Sequence, residues 1–106
     1  MDIELSVTKT CKQLTRLFER YKLEGDHPYV FAAIKVLCDG IEVRATRKGS
    51  GTIDPTLQEN IANVLYASGV HCGLIDDNDM KDAKGTVEKQ LELFEERFLK
   101  LYGSRP

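Results

Sequence analysis

The sequence predicts an all-α fold, a four-helix bundle-like domain with helices at about 2–24, 28–48, 55–68 and 79–102. Three observations carry that expectation. Apolar residues recur every three or four positions through four separate segments. Capping residues precede the segments and glycines follow them, with Asp2, Asp26 and Asp54 at starts and Gly25, Gly49, Gly69 and Gly103 at ends. The connections are short and polar, as between neighbouring helices of a bundle.

The first segment runs from Asp2 to about Glu24, with Ile3, Val7, Cys11, Leu14, Phe18 and Tyr21 on one side. An opening strand at IELSV, alternating Ile3, Leu5 and Val7, is a weaker option. Gly25-Asp26-His27-Pro28 then forms a short connection that places Pro28 in the first turn of the next helix.

The second segment, PYVFAAIKVLCDGIEVRATRK, has two readings. At helical spacing Val30, Ile34, Leu37, Ile41 and Ala45 share one side, and Lys35, Asp39, Glu42 and Thr46 form a polar stripe. At period two around Asp39-Gly40, the pairs Cys38/Ile41, Val36/Val43 and Ile34/Ala45 share one face of a hairpin at about 30–47, which gives an α+β alternative. The helix is preferred because the polar stripe continues past Gly40, and because Arg44, Arg47 and Lys48 sit at the negative end of the helix dipole. Gly40 costs that helix about 1 kcal/mol relative to alanine.

KGSGTID is a polar linker, and Asp54-Pro55 opens the third segment by the cap-then-proline rule. Its apolar side is Leu57, Ile61, Val64, Leu65 and Ser68, with Gly69 just past the end. VHCGLIDDND then turns from apolar to acidic, leaving Val70, Leu74 and Ile75 to pack beneath the connection. In the last segment Ala83, Val87, Leu91, Phe94, Phe98 and Leu101 follow the three-four spacing, and Gly85, Lys89, Glu92 and Glu96 face outward. Glu88/Glu92 and Glu92/Glu96 are like-charge pairs at i, i+4, so packing or a basic partner must hold this helix. A 23-residue first helix would span roughly 35 Å. That surplus of apolar surface favours a homodimer, with Leu91, Phe94, Phe98, Leu101 and Tyr102 of the last helix as the expected interface.

At 106 residues the chain is expected to be one domain, 1–106, able to build a core without metal or disulfide support. There is no run of about 18 apolar residues. MDIELSVTK lacks the basic start and apolar core of a signal peptide, so the expected location is cytoplasmic with no membrane partner. Cys11, Cys38 and Cys72 are odd in number and show no paired spacing, which fits small reduced core residues. The net charge is −2, divided as +2 over residues 1–50 and −4 over 51–106. This favours surfaces of opposite sign over a binder of polyanions.

Lys9, Lys12, Arg16 and Arg20 line one side of the first segment and, with Arg44, Arg47 and Lys48, form candidate anion contacts for a nucleic-acid-associated regulator. No aromatic side chain interleaves the row, so a solvated helix face is the simpler reading. The glycines of RKGSGT lack the Lys and Ser/Thr that a phosphate-binding loop needs after its last glycine. Asp76, Asp77, Asn78, Asp79 and Asp82 have the alternate oxygens of a calcium loop, but from Asp77 onward Lys81 takes a ligand position and Asp82 takes the glycine position.

His71-Cys72 with Cys38, Cys11 or His27 lacks the spacing of a zinc site or a thiol nucleophile pair, so no metal or cofactor is expected. No G-x-S-x-G elbow occurs, and QENIANVLYASGVHCGLIDDND is too acidic for a helix-turn-helix. The sequence therefore favours a non-catalytic protein–protein interaction or regulatory domain working as a homodimer. The alternatives are the nucleic-acid reading and an acidic decoy that occupies a basic protein through Asp76 to Glu96.

Overall fold

A computed structural model describes residues 9, 12–14, 16, 28–48 and 51–103, with side chains at 31–47 of the second span. The described chain is helical, with α1 at Pro28–Lys48, α2 at Pro55–His71 and α3 at Ala83–Tyr102. Lys9, Lys12, Gln13, Leu14 and Arg16 are helical too, in keeping with a helix in the first predicted segment. No strand occurs among the described residues, and the fold is an all-α bundle-like domain. Asp2, Gly25, Asp26 and Gly49, read as caps and stops, lie outside the described residues.

The hairpin alternative is overturned, because α1 runs unbroken through Asp39-Gly40 from Pro28 to Lys48. Ile34, Cys38, Ile41 and Ala45 are buried, at positions i, i+4, i+7 and i+11. A hairpin would have put Val36 and Val43 on that same face. The helix sends them to the opposite side, where they are 70% and 52% exposed. Past the end of α1, the Gly51 amide donates to the Thr46 carbonyl at 3.0 Å, with Gly51 at a φ of 105°. That is a left-handed closure only glycine takes up at little cost.

α2 begins as its sequence predicts. Asp54 caps it by accepting from the Thr56 amide at 2.8 Å, and Pro55 fills the first turn. Its end differs from the expected 68. The helix continues through Gly69 to His71, so Gly69 is a contact position and not a stop. The chain folds back over it, and the amides of Leu74 and Ile75 both donate to the Gly69 carbonyl at 2.9 and 3.1 Å. A Cβ on Gly69 would stand 2.4 Å from Cδ1 of Ile75 and 3.3 Å from a ring carbon of Phe31. The reversal itself falls on Gly73, at a φ of 78°.

α3 begins at Ala83 and not at 79, because Asp82 is its cap and accepts from the Gly85 amide at 2.9 Å. The acidic residues before it form a turn in which the Met80 amide donates to the Asp77 carbonyl. Gly103, at a φ of 73°, ends the helix as expected.

α2 packs against both neighbours, most extensively against α3. The core joins Leu14, the α1 set, Leu57, Ile61, Val64 and Ala67 of α2, and Val87, Leu91, Phe94 and Phe98 of α3. Each fully buried large side chain contributes about 1.5–3 kcal/mol. Where Cys38 and Ile41 meet Ile61, Val64, Leu91 and Phe94, the remaining gap is too small for a water molecule. Phe94, Phe98 and Tyr102 stack along α3 with ring centroids 5.8 and 4.7 Å apart.

The two helical glycines respond in opposite directions to the same change. Gly69→Ala forces Ile75 off the helix and lowers stability by about 1–3 kcal/mol. Gly40→Ala meets only the flexible tip of Arg44 at 3.0 Å and raises stability by about 0.5–1 kcal/mol. Urea denaturation of both variants checks the pair, and equal signs would refute the assignment.

Candidate functional site

The expected interface on the last helix is divided by the fold. Leu91, Phe94 and Phe98 are buried in the core, at 6%, 1% and 0% exposure. Tyr102 is half-buried against Phe98, and Leu101 is exposed. The first three are therefore unavailable to a partner while the domain stays folded, because the apolar stripe read as surplus is needed against α2. Glu92, Glu95 and Glu96 border an open groove with the exposed Leu99 on the outer side of α3. The one α3 carboxylate with an ion pair among the described residues is Glu88, 3.4 Å from Lys84.

Of the candidate anion contacts, Lys9, Lys12 and Arg16 are exposed. Arg20 and the Lys48 side chain lie outside the described residues. Arg47 is exposed, and Arg44 is half-buried with its guanidinium laid toward Gly40.

Cys38 and Cys72 are placed as core residues. Cys38 is buried, and its pKa is pushed up to about 12, first by burial and then by the carboxylates of Asp39 and Glu42. A thiol held that far from ionisation is a poor nucleophile at neutral pH. Burial raises the Cys72 thiol as well. His71 closes α2 beside it, while Cys11 and His27 lie outside the described residues. Among the described residues, no three His, Cys, Asp or Glu side chains are grouped so as to share a metal ion.

Two arrangements escaped the sequence reading. The first is a polar junction between α2 and α3 built on Asn60, which is 1% exposed. Its amide nitrogen donates to Gln90 Oε1 at 2.8 Å, and its oxygen accepts from Arg97 at 2.9 Å. Arg97 also donates to the Thr56 carbonyl at 3.3 Å. Each end of the buried amide is thereby satisfied, and the network fixes the register of the two helices. The available signal was Asn60 itself, a polar residue beside Ile61 and three positions after Leu57.

The second is the outer face of α1. Ala33, Val36, Gly40 and Val43 follow one another at spacings of three, four and three, with Ala32 alongside, and all but the half-buried Gly40 are exposed. Arg47 continues the line. An open groove of about 400 Å³ lies along this face, bordered by Asp39, Glu42, Val43, Thr46 and Arg47. The signal was the seven-residue interval between Val36 and Val43, out of phase with Ile34 and Ile41 by half a turn.

Comparison with family models, with curated proteins and with solved structures gives no match for this chain. No helix among the described residues is long and apolar enough to cross a membrane.

Two half-buried carboxylates tie stability to pH. The hydrogen bonds from Thr56 hold Asp54 below the ordinary 3.8, and the Tyr66 hydroxyl, 2.8 Å away, does the same for Asp77 with help from the Asp79 amide. A lowered native pKa means that the unfolded chain binds protons first as the pH falls. The contribution of each residue is thus complete above pH 3.8 and is lost progressively below it. Asp54→Asn with Asp77→Asn should flatten the acid limb of a stability-against-pH curve, and an unchanged limb would count against these bonds.

Proposed function

We propose that this chain is a non-catalytic protein–protein interaction or regulatory domain that acts as a homodimer, and that the outer face of α1 is its contact surface. The observation that carries this reading is the exposed pair Val36 and Val43, one heptad apart on a helix whose opposite side already fills the core. Single exposed apolar residues are ordinary on any surface. Here two valines continue along Ala32, Ala33 and Gly40 into a strip of about three turns. Such a strip marks a place where another surface fits.

Helix propensity supports the same reading. A β-branched residue at an exposed helix position loses side-chain freedom and gains no burial in the monomer. Association supplies the missing burial. The thiols of Cys38 and Cys72, buried and held back from ionising, are poor nucleophiles at neutral pH, which is consistent with a role without catalysis at those two positions.

Sedimentation equilibrium from low to high micromolar concentration is the direct test, with dimer expected at the upper end. Val36→Glu and Val43→Glu should abolish association and leave the thermal melt nearly unchanged, because both side chains point away from the core. Leu91→Glu and Phe98→Glu, by contrast, should unfold the domain, since each buries an unpaired charge. A monomer at all concentrations would remove this reading.

A further inference from the structure

From the shape of the groove on the outer face of α1, we infer that the second copy lays its own α1 parallel and in register, with each Val43 seated in the other copy's groove. The inference rests on the homodimer reading and specifies its geometry.

Ala32, Val36, Asp39, Val43 and Thr46 follow one another at spacings of four, three, four and three, the repeat that keeps one seam of a helix against a partner helix. The first four are exposed and Thr46 is half-buried. The seam lies on the far side of α1 from the buried Ile34, Cys38, Ile41 and Ala45. At about 100° per residue, Glu42 stands about 80° to one side of its midline and Arg47 about 60° to the other.

A paired helix receives each incoming side chain in a hollow between four of its own residues, at i, i+3, i+4 and i+7. Asp39, Glu42, Val43 and Thr46 have this spacing, and together with Arg47 they border the open groove of about 400 Å³. The next hollow along the seam lies between Val36, Asp39, Gly40 and Val43. Its Gly40 corner is covered by the Arg44 guanidinium, whose Nη1 stands 3.0 Å from where a Gly40 Cβ would be. One hollow thus offers space, and the other offers a cation.

This difference selects the direction. Parallel pairing in register brings each residue level with its own counterpart. Val43 of one copy then enters the open hollow of the other, and the Asp39 carboxylate enters the hollow edged by the guanidinium, which stays where it is. Antiparallel pairing would send a valine against the guanidinium and leave the open hollow to Asp39 or Ala32. One contact opposes the parallel arrangement, because the two Asp39 carboxylates come to the same level; the two Arg44 guanidinia flank them there.

Charge on the flanks agrees. A parallel two-fold axis brings opposite flanks of the seam together, and Glu42 lies five residues before Arg47 on the opposite flank. That is the offset at which flanking charges pair between parallel helices, so Glu42 of each copy meets Arg47 of the other.

The experiment is sedimentation equilibrium on the full chain, joined to cysteine crosslinking. Glu42→Arg alone and Arg47→Glu alone should each weaken association about fivefold, and the double swap should return it to within about twofold of the original. In a Cys11→Ser background, Ala32→Cys and Thr46→Cys, made separately, should each crosslink to its own counterpart with a short bis-maleimide. The two positions are 14 residues apart, so antiparallel pairing holds at least one of them roughly 20 Å from its counterpart wherever the axis lies.

A wild-type dimer in which either cysteine fails to crosslink, or whose double swap is no better than the single ones, overturns this geometry while leaving the homodimer standing. A chain that stays monomeric throughout overturns both.

Discussion

α2 is packed on two sides at once, and the rest of the fold depends on that constraint. Its buried residues include Leu57, Ile61, Val64 and Ala67, and Ile61 and Val64 stand where α1 and α3 both reach it. A helix in this position needs an apolar arc wider than a single stripe. It obtains that arc by burying Asn60 and Ser68 as well, with their polar atoms matched locally. Ser68 donates to the Val64 carbonyl at 2.5 Å, and Asn60 is held between Gln90 and Arg97. Removing one partner of the Asn60 network would expose a buried amide to the cost of an unmade hydrogen bond. The network therefore restricts how α3 can slide along α2, which an all-apolar contact would do less strictly.

The centre of α1 shows why a sequence can support two readings and a structure only one. Ile34, Val36, Cys38, Ile41, Val43 and Ala45 are all apolar, so period two and period 3.6 both find partners among them. What separates the readings is the polar stripe, Lys35, Asp39, Glu42 and Thr46, which holds helical phase across Gly40. In the folded chain Gly40 lies within a continuous helix, half-buried beside the Arg44 guanidinium. The cost of one glycine is small against the burial of Ile34, Cys38, Ile41 and Ala45.

Much of the fold was legible in the residues, because capping chemistry and apolar spacing are local. Asp54-Pro55 and Gly103 mark helix ends where the structure has them. Gly69 was misread because a glycine that ends a helix and one that admits a neighbouring side chain look alike in sequence; only the return of Ile75 distinguishes them. The proposed interaction surface is harder to find in the sequence for a related reason. A stripe such as Leu91, Phe94 and Phe98 announces burial without saying whether α2 or another molecule supplies it. Val36 and Val43 were concealed by serving equally well in the hairpin that did not form.

A contact face on α1, as proposed, would separate folding from association. On α3 the same aromatic side chains would have had to serve the core and the partner, so any change tuning one would disturb the other. In the proposed dimer α1 would use opposite sides of one helix for the two tasks. Its inner residues settle whether the helix is docked, and its outer ones add little to the monomer beyond a small loss of helix propensity. A surface of that kind can gain or lose affinity by single substitutions without crossing the stability threshold of a domain this small.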